Sequence, residues 1–254
     1  MRYLCCHRAL VAAAFIGLFV APLPTAQAAA PEESKAEVVR IDHEPRTIEG
    51  WTVHVDQRLL GEEHGELGQQ ALRILANKLY EVVLVLPADR VERLKQVPIW
   101  IDLDHPLKNM QYHPDKGWLE QHGYDPAMAK AVHIPNVQYM IRTQQRNVQP
   151  WVVLHELAHA YHDRELGFDD PLVRQTFDQV VASKRYEEVL HIAGRKQRHY
   201  ALSNHKEYFA EMTESFFGTN DFYPFVRAEL EEYDPETWRM LEQIWIKPLT
   251  PAQD

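Results

Sequence analysis

Three residues between positions 155 and 159 have the types and spacing needed to bind and use a metal ion. The stretch reads H-E-x-x-H, with His155, Glu156 and His159 at its fixed positions. On an α-helix, residues four apart project from the same face, so both imidazoles can offer a nitrogen to one metal ion. Glu156 lies beside that face and can reach a water molecule rather than the metal. Neutral nitrogen ligands, an open position for water and a carboxylate base are the components of a hydrolytic zinc site.

The residues around this pattern favour a helix of suitable length. Pro150 stands where a first helical turn would start, and Gly167 follows the expected end of a helix over 151–166. Apolar residues recur between them at helical spacing. A pattern with only three fixed positions also arises by chance, so a third metal ligand further along the chain is the stronger criterion.

Glutamates at helical spacing in segment 204–216 could supply that ligand. Glu207, Glu211 and Glu214 are four and then three residues apart, so they share one helical face. Asn204 is a suitable N-cap, and Glu207 occupies the third helical position of a capping-box pattern. A solvated acidic stripe is the alternative interpretation, because such stripes are common.

The two motifs together resemble a known group of enzymes. H-E-x-x-H at 155–159 and Glu-Tyr-Phe-Ala-Glu at 207–211 are similar to the catalytic domain of anthrax lethal factor and its secreted relatives, a branch of the zincin metallopeptidases. The resemblance covers about residues 150–217. It implies a zincin-like fold, zinc as the cofactor with one ion per chain, and Glu207 as the third ligand. It also implies that Tyr200, seven residues before Glu207, stabilises the oxyanion.

Several other side chains compete for these roles. His162 continues the row of histidines but lies two turns from His155, which favours an outer or surface role over metal binding. A different zincin pattern would place its last ligand at Glu165, but His162 replaces the glycine that makes the necessary turn. Glu211 is expected to hydrogen-bond a free ring nitrogen of His155 or His159, unless it pairs with an ordinary basic side chain.

Tyr200 and the remaining histidines have alternatives as well. Tyr200 could instead be a core tyrosine packed beside His199, because buried tyrosines are common. Five further histidines add imidazole groups and are expected to be mostly structural or at the surface: His113, His122, His133, His199 and His205.

The pattern of apolar residues predicts one α+β domain with a small mixed sheet in its N-terminal part. Strands are expected over 51–56, 97–103 and 132–137, and a helix over about 67–87. Pro135 confines the third strand to a sheet edge, where it would bind substrate by strand pairing. Residues 104–130 are expected to form a long ordered loop.

The C-terminal half is expected to be mostly helical. After helix 151–166, further helices are predicted over 171–183, 185–192, 204–218 and 234–245. The predicted domain covers 29–254, with an α/β part at about 43–149 and an active-site, helical part at 150–254.

The first 28 residues have the features of a secretory signal peptide. Arg2 and Arg8 precede an apolar run over about 9–20, and small residues at Ala26 and Ala28 follow at the spacing that signal peptidases recognise. A membrane anchor is less favoured, because the run is short and prolines follow it. Cleavage is expected after Ala28 or Ala30.

Charge and cysteine content limit the partners and the redox chemistry. The formal net charge is −10, and removal of residues 1–28 makes it two units more negative. An acidic protein of this kind is not expected to bind nucleic acid or an anionic membrane. Both cysteines lie within residues 1–28, so no disulfide is expected in the mature chain, which must be held by its core.

These features predict a secreted or periplasmic zinc-dependent endopeptidase that acts on a peptide or protein substrate. Glu156 would be the general base, with His155, His159 and Glu207 as zinc ligands and Tyr200 as the oxyanion donor. The alternative is a non-catalytic zinc-binding or peptide-binding protein on the same scaffold, and a structural envelope protein with a chance motif would bind no metal. The substrate and the oligomeric state are not predicted.

Overall fold

The computed structural model describes residues 40–248, and the predicted signal peptide lies outside the described residues. The described residues all fall in one compact unit, 35–254. Within them the protein is a mixed α+β structure with a small sheet and several helices. The α+β class is therefore confirmed. None of the helices in this range combines the length and apolar character needed to span a bilayer.

A five-stranded mixed sheet forms the N-terminal part, and a separate hairpin of two short strands lies further along the chain. The strands are β1 (His43–Ile48), β2 (Trp51–Asp56), β3 (Ile99–Ile101), β4 (Gln111–Tyr112), β5 (Val132–Ile134), β6 (Val189–Leu190) and β7 (Lys196–Gln197). The sheet order is β1-β2-β3-β5-β4. β2, β3 and β5 run parallel to one another, whereas β1 and β4 are antiparallel to their neighbours.

The two faces of the sheet differ in chemistry. Val53, Ile99 and Val132 lie side by side across β2, β3 and β5 and belong to the main hydrophobic core. On the opposite face the aligned residues are His54, Trp100 and His133. Side chains alternate between the faces of a strand, so one register places an aliphatic row inward and a row of rings outward. Leu119, Met128 and Ala131 of segment 104–131 pack against Trp100 and cover this second face.

Nine α-helices occur within residues 40–248. They are α1 (Gly65–Val85), α2 (Ala88–Leu94), α3 (Lys116–Gln121), α4 (Val137–Arg146), α5 (Val152–Tyr161), α6 (Pro171–Ser183), α7 (His205–Phe217), α8 (Arg227–Tyr233) and α9 (Pro235–Leu241). A wider helical turn continues α5 over His162–Leu166 and another continues α9 over Glu242–Ile246. α1 packs against α4 and α5, and α5 packs against α7.

The predicted caps of three C-terminal helices are confirmed. The side chains of Asp170, Asn204 and Asp234 accept backbone N–H hydrogen bonds at the starts of α6, α7 and α9. These bonds satisfy amides that have no partner within the helix, which fixes where each helix begins. The expected helices over 171–183 and 204–218 are therefore present. The region 234–245 is helical as expected, and α8 precedes it.

Close packing holds the start of α5 against the end of α7. Gly218 directly follows α7, and a Cβ atom at this position would lie 2.0 Å from Cε2 of Trp151, the N-cap residue of α5. Only glycine allows the indole ring to approach the backbone so closely. This contact helps to set the relation between the helix that carries His155 and His159 and the helix that carries Glu207.

The predicted strand over 132–137 is partly wrong. β5 ends at Ile134 and lies inside the sheet between β3 and β4, so it is not the edge. Pro135 follows the strand, and Asn136 caps α4, accepting a hydrogen bond from the backbone N–H of Tyr139. The edge next to β5 is the two-residue strand β4, which the sequence analysis placed in a loop.

One further element was predicted wrongly, and another was not predicted. Residues 185–192 do not form a helix but lead into the β6–β7 hairpin, whose turn includes Gly194 at φ 82°. β1 was not predicted, although Glu49 and Gly50 make the left-handed turn that joins it to β2. Both errors concern short strands that are defined by pairing across a turn rather than by apolar periodicity.

Candidate metal centre

Three side chains from the two motifs bring their ligand atoms together. His155 and His159 lie one turn apart on α5, and Glu207 lies in the first turn of α7. The Nε2 atoms of the two histidines are 3.1 Å apart. Oε2 of Glu207 is 3.2 Å from Nε2 of His155 and 3.3 Å from Nε2 of His159. The three atoms thus form a nearly equilateral triangle.

This triangle has the size that a tetrahedral metal ion requires. Ligands about 2.0–2.1 Å from a tetrahedrally bound zinc ion are about 3.3–3.4 Å from one another. The observed separations of 3.1–3.3 Å are close to that value without any rearrangement. The His155, His159 and Glu207 side chains could therefore hold one metal ion.

The local structure of α7 directs Glu207 into the centre. Oδ1 of Asn204 accepts hydrogen bonds from the backbone N–H groups of Lys206 and Glu207, which anchors the first helical turn. The Glu207 carboxylate extends from that turn toward α5 and is partly buried. The alternative ligand Glu165 instead pairs with Arg93.

A second glutamate fixes the orientation of the first histidine. Nδ1 of His155 lies 2.7 Å from Oε1 of Glu214, whereas Oε1 of Glu211 is 3.5 Å away. The Nδ1–H group donates to Glu214, so the Nε2 lone pair faces the metal centre. The sequence analysis considered Glu211 for this role, and Glu211 does lie near the ring as expected, but Glu214 makes the hydrogen bond. Oε2 of Glu211 accepts a hydrogen bond from Asn220 instead.

The surrounding charges perturb the pKa values of the centre strongly. Burial lowers the pKa of His155, but hydrogen bonds with Glu207 and Glu214 outweigh it and hold that pKa well above 6.5. Burial raises the pKa of Glu207, but hydrogen bonds from His155 and His159 hold it well below its usual range. Protons and metal therefore compete for His155, so the affinity for metal should fall as the pH decreases.

Glu156 is held beside the centre without entering it. Its side chain is buried, and Oε2 accepts a hydrogen bond of 2.8 Å from the backbone N–H of Tyr112 on β4. Burial raises its pKa, whereas the nearby His155 and His159 and the Tyr112 hydrogen bond lower it. A carboxylate fixed next to a metal site, with a raised pKa, is suited to accept a proton and return it.

Tyr200 lies at the rim of the same site. It is 50% exposed and lines the cavity that contains His155, Glu156 and Glu207. The alternative of a core tyrosine is therefore wrong. Burial of the ring and the negative charge of Glu207 raise the pKa of its phenol, so the hydroxyl keeps its proton and can donate a hydrogen bond.

The centre opens into a cavity of about 770 Å³. One wall is segment 107–112, which ends in the edge strand β4, and another contains Tyr139, Met140 and Thr143 of α4. His191, Asp221 and Phe222 line the cavity near the metal centre. A cavity of this size, bordered by a sheet edge, has room for several residues of an extended peptide.

His162 is neither a metal ligand nor a surface residue. Its ring is completely buried, and neither nitrogen has a hydrogen-bond partner among the described residues. It packs against Phe168 and Phe209. Burial lowers its pKa to about 3, so the ring is neutral and acts as part of the core. The expected surface role was wrong, although its exclusion from the metal centre agrees with the structure.

Two contacts of the site had no usable signal in the sequence. The backbone N–H of Tyr112 donates to Glu156, which is 44 positions away in the sequence. Residue types do not indicate which backbone group will make such a contact. His191 lies 3.5 Å from Asp221, but His191 belongs to residues 185–192, which were wrongly predicted as a helix, and no element was predicted around Asp221. Glu214 did carry a signal, since it shared a helical face with Glu207 and Glu211.

The chain matches no protein-family model, no curated protein and no solved structure with which we compared it. The likeness to the lethal-factor group of peptidases therefore rests on the two motifs, and the assignment of a function depends on the geometry of the site.

Proposed function

We propose that this protein is a zinc-dependent endopeptidase with a zincin-like fold. The observation that carries the proposal is the triangle of ligand atoms from His155, His159 and Glu207, with Glu156 beside it and an open cavity in front. An antiparallel edge strand next to the metal-binding helix supports the zincin-like assignment. The proposed location is secreted or periplasmic and rests on the signal-like residues 1–28.

The side chains around the centre have separate roles in the proposed hydrolysis. A zinc ion held by His155, His159 and Glu207 would supply Lewis acidity to the water and to the scissile carbonyl group. Glu156 accepts the proton of the attacking water and later passes it to the leaving amine. Tyr200 donates its hydroxyl proton in a hydrogen bond to the carbonyl oxygen as that oxygen becomes negative.

The substrate is proposed to be a peptide bound in an extended conformation along β4. This strand is at the edge of the sheet and borders the cavity. Backbone groups at such an edge can pair with an added strand. The N–H group of Tyr112 is already used by Glu156, so pairing would depend on other backbone groups of segment 107–112. This proposal differs from the sequence-based prediction, which placed substrate binding at residues 132–137.

A non-catalytic zinc-binding or peptide-binding protein is the second candidate. Such a protein needs the ligands but not the base. Here Glu156 is retained, buried and oriented by a backbone hydrogen bond, and Tyr200 faces the same cavity. These features favour catalysis, because simple metal binding requires neither residue.

Hydrolysis of a peptide library by the purified protein tests the proposal. We expect cleavage that 1,10-phenanthroline abolishes and that added Zn²⁺ restores. Mass spectrometry of the products would identify the cleaved bonds. Zinc binding without cleavage of any peptide would support the non-catalytic candidate instead, and cleavage that is insensitive to the chelator would contradict a metal mechanism.

Replacement of Tyr200 by phenylalanine should lower kcat by about 10²–10³-fold, the usual contribution of one oxyanion donor. KM and zinc content should change little, because the hydroxyl acts mainly in the transition state. Steady-state kinetics with a fluorogenic peptide would measure both parameters. Tyr80→Phe is the control, since Tyr80 is exposed on α1 and does not line the cavity. A normal kcat for Tyr200→Phe would remove the tyrosine from the mechanism.

Replacement of Glu214 by leucine should weaken zinc binding by about 10–100-fold, as is typical when a ligand histidine loses its outer hydrogen-bond partner. Glu214→Gln should recover much of the affinity, because the amide oxygen can still accept the Nδ1–H hydrogen bond of His155. Competition with a fluorescent zinc chelator would give the affinities. If Glu211→Leu and Glu214→Leu lost the same amount of zinc affinity, the shorter contact between Glu214 and His155 would have no special role.

A further inference from the structure

The face of the sheet that carries His54, Trp100 and His133, here called the outer face, holds a second group of side chains of types that can bind metal. Asp102 directly follows β3, His133 lies in the middle of the neighbouring strand β5, and His105 lies in the segment that leaves β3. Each can offer one ligand atom, and these atoms lie within 4.8 Å of one another. We refer to Asp102, His105 and His133 as the outer-face cluster. The proposed hydrolysis does not use any of them.

We propose that the outer-face cluster is a second metal site, which binds a divalent transition metal such as Zn²⁺ or Ni²⁺. Two imidazoles and one carboxylate form a donor set that suits these ions. The site is distinct from the catalytic centre, because its residues lie on or after strands β3 and β5, whereas the catalytic ligands lie on helices α5 and α7. It does not depend on the proposed peptidase activity.

Burial makes this cluster unusual for a solvated group of polar residues. Asp102 and His133 are both completely buried. A buried carboxylate is costly unless hydrogen bonds or a cation compensate its charge. Burial is the main reason that the pKa of His105 is lowered to about 4, and His133 and His43 contribute to the decrease. His105 is therefore neutral near pH 7, which is the form that binds metal.

The hydrogen bonds of Asp102 would allow one carboxylate oxygen to bind a metal while a neighbouring side chain holds the other oxygen. Oδ1 of Asp102 lies 2.6 Å from Nε2 of His43, and Oδ2 lies 2.7 Å from Nε2 of His133. The His43 contact can persist when Oδ2 binds a metal, and it would orient the carboxylate. Outer contacts of this kind are typical of metal sites.

A simple change of tautomer would free His133 for coordination. In the metal-free arrangement its Nε2–H group donates to Asp102. Its Nδ1 atom lies 3.3 Å from Nε2 of His113. If the proton moves to Nδ1, His113 can accept it in a hydrogen bond, and the Nε2 lone pair of His133 faces the metal. Burial lowers the pKa of His113 to about 3, so this ring is also a neutral acceptor.

His105 is the ligand that must move. Its Nδ1 atom accepts a hydrogen bond of 3.1 Å from the backbone N–H of Leu107, so metal binding changes the turn at 105–107. Ligand atoms up to 4.8 Å apart must also approach one another by about 1.5 Å at most to reach tetrahedral spacing. Leu107 lines the catalytic cavity, so metal at the outer-face cluster would fix one wall of the substrate cleft.

Counting bound zinc in four proteins tests the proposal. We expect two equivalents at saturation in the wild type, one in His105→Asn, one in His159→Ala and none in the double variant. The amide oxygen of the introduced asparagine can keep the hydrogen bond from the Leu107 N–H group, which protects the fold. His122→Asn is the matched control, because His122 is exposed and lies outside both clusters. It should bind two equivalents.

Equilibrium dialysis at buffered micromolar Zn²⁺, followed by elemental analysis, gives these numbers. Affinity for the second equivalent should fall at least about tenfold in His105→Asn. A wild type whose only equivalent is lost in His159→Ala, or a folded His105→Asn that binds as much zinc as the wild type, would overturn the proposal. Either result would identify the cluster as a hydrogen-bond network only.

A second measurement avoids mutation of the cluster. Zinc added to His159→Ala should shift the imidazole NMR signals of His105 and His133 and leave those of His122 unchanged. Absence of any shift at His105 and His133 would overturn the proposal even if the His105 variant failed to fold. Loss of peptidase activity plays no part in either test, so failure of the proposed function would be seen separately.

Discussion

Replacement of Glu156 by glutamine is expected to lower kcat for peptide hydrolysis by about 10²–10⁴-fold, the usual contribution of a general base. The amide has nearly the same shape but cannot accept the proton of the attacking water at neutral pH. Its oxygen can still accept the hydrogen bond from the Tyr112 N–H group, so the fold and the zinc content should be preserved. Fluorogenic peptide kinetics and elemental analysis would measure both.

Glu165→Gln is a suitable control for this experiment. Glu165 lies in the helical turn that continues α5, but it pairs with Arg93 and does not line the cavity. Its replacement should leave kcat within a few-fold of the wild type. Undiminished hydrolysis by Glu156→Gln would show that another group accepts the proton and would remove Glu156 from the mechanism.

Replacement of His159 by alanine should remove both hydrolysis and zinc binding at the centre. Two of the three ligand atoms would remain. Zinc affinity should therefore fall by more than the factor of about 10–100 that is typical when a metal ligand loses its hydrogen-bond partner. Glu207→Gln should also bind zinc poorly, because a neutral amide is a weaker ligand than a carboxylate. Competition with a chelator of known affinity would quantify both losses.

His122→Ala is the control for general effects of losing a histidine. Its ring is exposed and stacks on Trp118 at a centroid distance of 4.1 Å, away from the cavity. Zinc affinity at the catalytic centre should be unchanged in this variant. If His159→Ala retained wild-type affinity at that centre, the assignment of the ligand would be wrong.

The grouping of the candidate metal ligands could be predicted from the sequence because its signals are local. His155 and His159 share a helical face through their spacing alone. Asn204 fixes the start of α7, and that places Glu207 in the first turn. The packing of α5 on α7 then brings the motifs together, with separations of 3.1–3.3 Å between the ligand atoms.

The contacts that were predicted wrongly depend on relations between distant segments. Glu211 and Glu214 have similar positions in the sequence pattern, and only the packing of α7 on α5 determines that Glu214 makes the shorter contact with His155. Similarly, Pro135 led to the prediction of an edge strand at 132–137, but Gln111 and Tyr112 pair with β5 and form the edge instead.

The outer-face cluster could not be predicted from the sequence for the same reason. Its three residues are spread over 32 positions of the chain, from 102 to 133, and form no motif. Strand register places His133 beside Trp100, close to Asp102, and the segment after β3 brings His105 back to them. Periodicity predicts which strand residues are apolar, but it does not predict which polar residues of neighbouring strands will meet.

Anomalous X-ray scattering at the zinc absorption edge, from crystals of the zinc-loaded protein, tests the central proposal most directly. We predict a peak at about 2.0–2.2 Å from Nε2 of His155, Nε2 of His159 and a carboxylate oxygen of Glu207. Glu156 should lie beside the peak without coordinating it. A zinc-loaded crystal without a peak at these three residues, or with Glu211 or Glu214 as the third ligand, would contradict the proposed metal centre.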